Sequence, residues 1–196
     1  GITFGVLATT SGLSIAQAIA MSLLVFTGAS QFTAASVIGA GGSPAAALAS
    51  ALLLGARNAF YGISVAKIVP PDTPWWKRLV TAQLTIDEST ALAMAQRDPA
   101  DRYDAFLAGG VSVFVFWNLG TVLGAVGGDA IGDPAALGLD AAFPAGFIAL
   151  MMPALRHRSG LLAAIAGAGL AATLIPFTRP GIPVLAASLG AVLAFK

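Results

Sequence analysis

The sequence predicts an all-α, polytopic membrane protein with about seven membrane segments and one further helix that enters the fold without crossing it. Three observations predict this class. Hydrophobic residues make up 57% of the 196-residue chain and charged residues only 10%, with a mean hydropathy of +0.86, which leaves too little polar surface to coat a soluble globule of this size. The apolar residues fall in long runs separated by Gly and Pro punctuation, as bilayer-spanning helices require. The charges gather in short stretches between those runs.

The elements follow in order. Gly1 to about Thr10 is already apolar and reads as a first segment whose start is missing from the sequence. Ser14 to Ile38 and Pro44 to Val69 are the next two segments. Pro70-Pro71-Asp72-Thr73-Pro74-Trp75-Trp76-Lys77-Arg78 then breaks the helix, seats two tryptophans at an interface and carries adjacent positive charges, which marks a cytoplasmic border. Leu79 to Gln96 is helix-compatible but holds Asp87 beside Glu88. After a densely charged loop come four apolar segments: about Ala105 to Gly127, Ala141 to Leu155, Ser159 to Phe177 and Ile182 to Phe195.

Orientation decides the status of Leu79 to Gln96. If it spanned the bilayer, the acidic loop with Asp129, Asp133 and Asp140 would share a side with Lys77 and Arg78, and Arg156-His157-Arg158 would fall opposite, against the positive-inside rule. A re-entrant or interfacial helix places both basic loops and Lys196 in the cytoplasm. The chain therefore reads as a single transmembrane permease domain over residues 1–196. A weak internal repeat suggests inverted halves, 1–69 and 105–186: Phe26-Thr27-Gly28-Ala29-Ser30 and Phe143-Pro144-Ala145-Gly146-Phe147 each place helix breakers inside an apolar segment. Paired interrupted helices of opposite direction are how many secondary transporters free backbone groups for a midplane site.

Composition also excludes. The formal net charge of +1 arises from ten basic and nine acidic residues with no large basic patch, so no nucleic-acid partner is expected. The absence of cysteine and the single histidine leave no multidentate thiolate or imidazole metal centre, and no metal or cofactor is expected.

The polar residues inside apolar segments carry the functional reading. Arg57 lies mid-segment, where a cation costs on the order of 3 kcal/mol even on a lenient insertion scale, so it needs a partner. Ser43, Ser50, Arg57 and Ser64 recur every seven residues, with Tyr61 one turn beyond Arg57, on or near one helical stripe. Asp87 and Glu88 are the natural partners of Arg57 or carriers of a coupled proton. Neighbouring helix positions point about 100° apart, so one of the two faces the cavity. Thr27, Ser30 and Gln31 surround the break at Gly28 and offer donors and acceptors to a zwitterion; Asn118, with Thr121 one turn on, is a further candidate. Gly120, Gly124 and Gly128 form a small-residue ladder for helix packing. An intramembrane serine hydrolase is disfavoured, because Ser30 would need a base and the only histidine lies in a charged loop; the chain is not expected to be an enzyme.

These residues resemble a known family. Thr27-Gly28-Ala29-Ser30-Gln31-Phe32 resembles the GASQF element of AzlC-type permeases, and Gly55-Ala56-Arg57-Asn58-Ala59-Phe60-Tyr61-Gly62 resembles their arginine-centred element. Leu84-Thr85-Ile86-Asp87-Glu88-Ser89 is similar to the family's acidic stretch, and Leu139-Asp140-Ala141-Ala142-Phe143-Pro144 to its LDFAFPA element. The sequence departs from the pattern at Gly55, where Asn is usual, at Asn58, where His is frequent, and at the intervening Ile86. The resemblance implies a subunit of a two-component exporter of leucine, isoleucine, valine and perhaps methionine in the bacterial cytoplasmic (inner) membrane, proton-driven, with a small AzlD-like membrane subunit as partner. Its matching positions are Gly28, Ser30, Gln31, Arg57, Asn58, Tyr61, Asp87, Glu88, Phe143 and Pro144. On that basis Arg57 or a freed helix N-terminus receives the carboxylate, Phe32 and Phe143 wall the branched side chain, and an acid takes the amine or the proton. The other classes left open are an uncoupled channel or facilitator for small solutes and a non-transporting membrane assembly subunit.

Overall fold

The computed structural model describes residues 1–131, 145, 148, 151–152 and 154–195. Among them the regular structure is helical: α1 (Ile2–Thr10), α2 (Ile15–Leu24), α3 (Ala29–Gly39), α4 (Pro44–Gly55), α5 (Arg57–Ala66), α6 (Trp75–Gln83), α7 (Asp87–Met94), α8 (Arg102–Ile131), α9 (Arg158–Leu174) and α10 (Ile182–Ala187), with 3-10 turns at Pro99–Asp101 and Ser188–Phe195. Two stretches are long and apolar enough to cross a membrane by length and composition, Pro44–Ala66 and Pro99–Gly128; Ile15–Leu24, Arg158–Leu174 and Ile182–Val192 are shorter apolar helices.

The packing departs from that of a water-soluble protein in its apolar exterior and in the polar groups enclosed alongside an apolar core. Ser22, Gln31, Ser50, Ser89 and Thr121 are fully buried, while Leu24, Phe60, Phe116 and Leu123 lie on the outside. An exterior this apolar is stable against lipid and a liability in water.

α8, 30 residues and about 45 Å long, is the rod against which the other elements are set. α1 packs alongside its second half. Backbone meets backbone there: a Cβ built on Gly5 would fall 2.3 Å from Thr121 O, and one on Gly124 would fall 2.1 Å from Ile2 O. Gly120 is close but less tight, a Cβ there falling 3.0 Å from Ile2 N, whereas Gly128 has only ordinary contact with Thr9. The glycine ladder is thus a packing surface, as the spacing predicts. α2 is fastened to the same helix by a buried hydrogen bond from Ser22 Oγ to Thr121 Oγ1, 3.0 Å.

Residues Ser14 to Ile38, one segment by hydropathy, form two helices. Ser14 caps α2 with a reciprocal Ser14–Gln17 pair. The chain breaks at Val25 to Gly28, with Phe26 at φ 40° and Gly28 at φ 57°. Left-handed values cost a side-chain-bearing residue energy that its surroundings must offset, and Phe26 is held by burial and an edge-on contact with Phe114, centroids 4.9 Å apart. The segment from Pro44 tightens at Ala56, dividing α4 from α5, so the serine stripe does not run straight: Ser43 caps α4 and Ser50 donates to Gly181 O at 3.5 Å.

Leu79 to Gln96 also differs from a single helix. α6 begins earlier, at Trp75, and ends at Gln83; α7 begins at Asp87. α6 returns antiparallel to α5, with Asn58 beside Thr85. Thr81 Oγ1 lies 2.9 Å from Tyr103 Oη, Leu84 sits against Gly110, and Ser89 and Leu92 sit against Gly109. The two helices therefore form a V whose tip, at residues 84–88, stands about 12 Å along α8 from Arg102, while both arms leave on the side where α8 begins. Ser89 Oγ staples the bend, donating to Leu84 O at 2.6 Å and accepting from Ile86 N–H at 3.2 Å. At the C-terminal end, α9 and the 3-10 turn approach closely through Gly167 and Gly190, and α10 reaches α4 through Gly181.

Candidate functional site

Three interruptions meet at one place: the break between α2 and α3, the tightening at Ala56, and the tip of the α6–α7 V. Arg57, first residue of α5, joins them. Its Nη2 lies 3.5 Å from the Thr27 carbonyl oxygen in the first break and 3.6 Å from Asp87 Oδ2 at the tip. The next residue, Asn58, donates from Nδ2 to Thr85 O at 3.2 Å. Gln83 closes the third side, its Nε2 donating to Leu23 O at 2.9 Å at the end of α2.

The electrostatics are lopsided. The N-terminal ends of α3 and α7 point into the place occupied by the guanidinium, and each carries unpaired backbone N–H groups and a positive dipole end. Asp87 opposes this positive potential from the first turn of α7. At 3.6 Å the Arg57–Asp87 contact is an ion pair without the 2.7–2.9 Å of a tight charge-assisted hydrogen bond. Both side chains keep some access, 30% and 22% exposed. Glu88, the next residue, is exposed and stays beside Asp87.

Polar atoms around the break are left over. Thr27 Oγ1, Ser30 Oγ, Gln31 Nε2, Arg57 Nε, Asn58 Oδ1, Thr90 Oγ1, Trp117 Nε1 and Asn118 Oδ1 are buried with no hydrogen-bond partner. A buried polar atom without a partner costs about 1–3 kcal/mol, so a concentration of them in one region signals water or a ligand. Beside them lies a hollow of about 220 Å³ lined by Val25, Phe26, Thr27, Asn58, Gly62, Ala82, Gln83 and Thr85. It is smaller than the roughly 300–1,000 Å³ that drug-sized ligands occupy and suits a small solute with one apolar side.

The structure brings together Arg57, Asn58 and Asp87 of the sequence-derived candidates, with Gly28, Ser30 and Gln31 at the start of α3. Gln31 is fully buried; its Oε1 accepts the Gly28 N–H at 3.1 Å and its amide nitrogen faces inward unspent. Of the residues brought together, Asn58 lines the hollow and the others stand around it; three further candidates lie outside the hollow as well. Phe32, partly buried, packs edge-on against Phe4 and Trp117 at 5.7 and 6.1 Å. Tyr61 is half-buried on α5 and Asn118 spends its Nδ2 on Phe114 O of its own helix at 2.8 Å; neither lines the hollow. Phe143 and Pro144 lie outside the described residues. Residue patterns did not single out Gln83 and Thr85; a neutral amide and hydroxyl one turn before an acidic pair was the available signal.

Gly28 makes a testable point here. With φ 57° and ψ −83° it occupies backbone space that side-chain-bearing residues avoid, at a cost of about 1–3 kcal/mol. Space is not the issue, since a Cβ would meet only Trp117 at 3.8 Å. Gly28→Ala is expected to lower the melting temperature of the purified protein by that conformational penalty; an unchanged value would mean the break relaxes without cost.

An apolar exterior and interrupted helices around an incompletely paired arginine with a small hollow beside it fit a membrane transport protein. Comparison with known proteins narrows it. Residues 1–131 match the family described as AzlC protein, and the chain belongs to that family. It is 26% identical over 187 residues to the inner membrane protein YgaZ of Escherichia coli, covering 90% of this chain and 75% of that protein. It is 27% identical over 201 residues to the branched-chain amino acid transport protein AzlC of Bacillus subtilis, covering 100% of this chain and 78% of that protein. An uncharacterized membrane protein of Haemophilus influenzae is 30% identical over 129 residues, 63% of this chain and 51% of the relative. No solved structure matches the chain.

Proposed function

We propose that the chain is the large subunit of an exporter that moves leucine, isoleucine and valine out across the bacterial inner membrane, coupled to proton flow. It acts with a small AzlD-like membrane subunit, and its chemistry is transport without catalysis. The observation that carries this reading is the placement of an incompletely paired arginine where two helix N-termini and a small, partly apolar hollow meet. The name of the Bacillus subtilis relative supports the substrate class. Arg57 and the amide groups at the start of α3 receive the carboxylate. Asn58 Oδ1 receives the ammonium, and Val25, Phe26 and Ala82 line the space for a branched side chain.

Coupling follows from the ion pair. A proton on Asp87 removes its charge and frees the guanidinium for the substrate carboxylate; loss of that proton restores the pair and displaces the carboxylate. Glu88 is the adjacent group through which the proton reaches or leaves Asp87. In this reading the α6–α7 V is a re-entrant hairpin, its arms on the cytoplasmic side with Trp75, Trp76, Lys77 and Arg78, and about seven segments cross the bilayer around it.

Vesicles containing the purified chain with its genomic neighbour, loaded with labelled leucine, test this. Efflux faster than from protein-free vesicles, and several-fold faster with an imposed pH gradient, is expected. Leucine flux at the protein-free level would overturn the substrate; flux indifferent to the gradient would overturn the coupling.

A further inference from the structure

A second hollow of about 220 Å³ lies between α5 and α6, lined by Val65, Ala66, Val69, Arg78 and Thr81, and Gly62, Ala82 and Thr85 line both it and the site hollow. At that shared neck Gly62 has no atom within 4 Å of where its Cβ would stand, Ala82 contributes one methyl, and Thr85 has its hydroxyl tied back to Thr81 O at 2.8 Å. The outer end is marked by Arg78, whose guanidinium is drawn onto the preceding turn, Nε donating to Thr73 O at 2.9 Å and Nη2 to Pro71 O at 2.8 Å. Lys77 lies beside it, over the Trp76 ring at 5.4 Å.

We propose that the two hollows are one passage, running from the face that carries Lys77 and Arg78, through a neck at Gly62, to Arg57, and that an amino-acid zwitterion reaches the site along it. This rests on the transport reading above for its cargo, though not for its path. Charge gives the passage a direction. A cationic mouth attracts the carboxylate end first, and that end is the one which Arg57 and the α3 N-terminus are placed to receive. The neck also sets specificity: with glycine at position 62 a branched side chain passes, and any side chain there narrows the opening.

The chain contains no cysteine, so single-cysteine variants need no altered background. Gly62→Cys, Val69→Cys and Phe60→Cys are to be treated, in membrane vesicles of each orientation, with a sulfonated methanethiosulfonate reagent that does not cross the bilayer. Phe60 is 73% exposed on the apolar exterior and lines neither hollow. From the Lys77–Arg78 side, Gly62→Cys is expected to react at least about tenfold faster than Phe60→Cys, because only a hydrated thiol ionises readily. Gly62→Leu is expected to reduce leucine flux to background with an unchanged melting temperature. If Val69→Cys reacts while Gly62→Cys is as inert as Phe60→Cys, the hollows do not connect. Reaction of Gly62→Cys only from the opposite side reverses the passage, and normal flux through Gly62→Leu removes the neck. Labelling at Gly62→Cys without leucine flux in the parent protein leaves the path standing and overturns the cargo.

Discussion

Replacing Arg57 with glutamine is expected to abolish branched-chain amino acid flux while leaving a folded protein. Hydrogen bonds to charged groups contribute about 1.5–3 kcal/mol, so loss of the guanidinium is expected to lower transport efficiency on the order of 100-fold. The substitution also leaves Asp87 half-buried without its cation, which lowers stability, since removing one partner of an ion pair strands the other. Adding Asp87→Asn to Arg57→Gln is therefore expected to recover the melting temperature without recovering flux. That split matters: a purely structural ion pair would give flux and stability that return together. Normal flux in the single variant would remove Arg57 from the mechanism.

Gly124→Val is expected to prevent the native assembly of α1 on α8. The added Cβ would lie 2.1 Å from the Ile2 carbonyl oxygen, and backbone cannot swing aside as a side chain can. The cost is expected at or above the upper end of the about 1–3 kcal/mol usual for overpacking. Gly127, three residues further along the same helix, has nothing within 4 Å of its Cβ position, and Gly127→Val is expected to stay within about 0.5 kcal/mol of the parent. Thermal unfolding of the two detergent-purified variants checks this. Equal melting temperatures would mean that the close approach of α1 and α8 contributes nothing.

Features visible in the sequence were those with a local cause. Glycine and a preceding aromatic inside an apolar run announced the break at Gly28. A lone cation among apolar residues announced Arg57, and its need for a partner led to the acidic pair, of which Asp87 is the one that faces it. The ladder of Gly120 and Gly124 was legible because close helix approach demands small residues at a fixed period. What stayed hidden had a tertiary cause. Alanine is the best helix former, so nothing at Ala56 signals that the chain tightens there, and the serine stripe was drawn along one uninterrupted helix where the structure has α4 and α5. The V of α6 and α7 depends on Ser89 stapling carbonyls five and three residues back, an ordinary residue in an unusual place. Phe32 matches a family motif, and its ring contacts with Phe4 of α1 and Trp117 of α8 are set by the tertiary fold. The second break expected of an inverted repeat, at Phe143 and Pro144, lies outside the described residues.

α8 bears two smooth tracks, Gly109 and Gly110 for the V, Gly120 and Gly124 for α1. Gly120 and Gly124 stand 11 and 15 residues beyond Gly109, which at 100° per residue sets them about 20° and about 60° round from it, between Gly109 and Gly110. Both clients thus lie on one face of a single cylinder at different heights, and Val115, Phe116, Leu119 and Leu123 face outward from it. One stiff shaft consequently fixes how deep the hairpin reaches and how far α1 stands from it, so the two cannot be repositioned independently unless the shaft itself turns or bends.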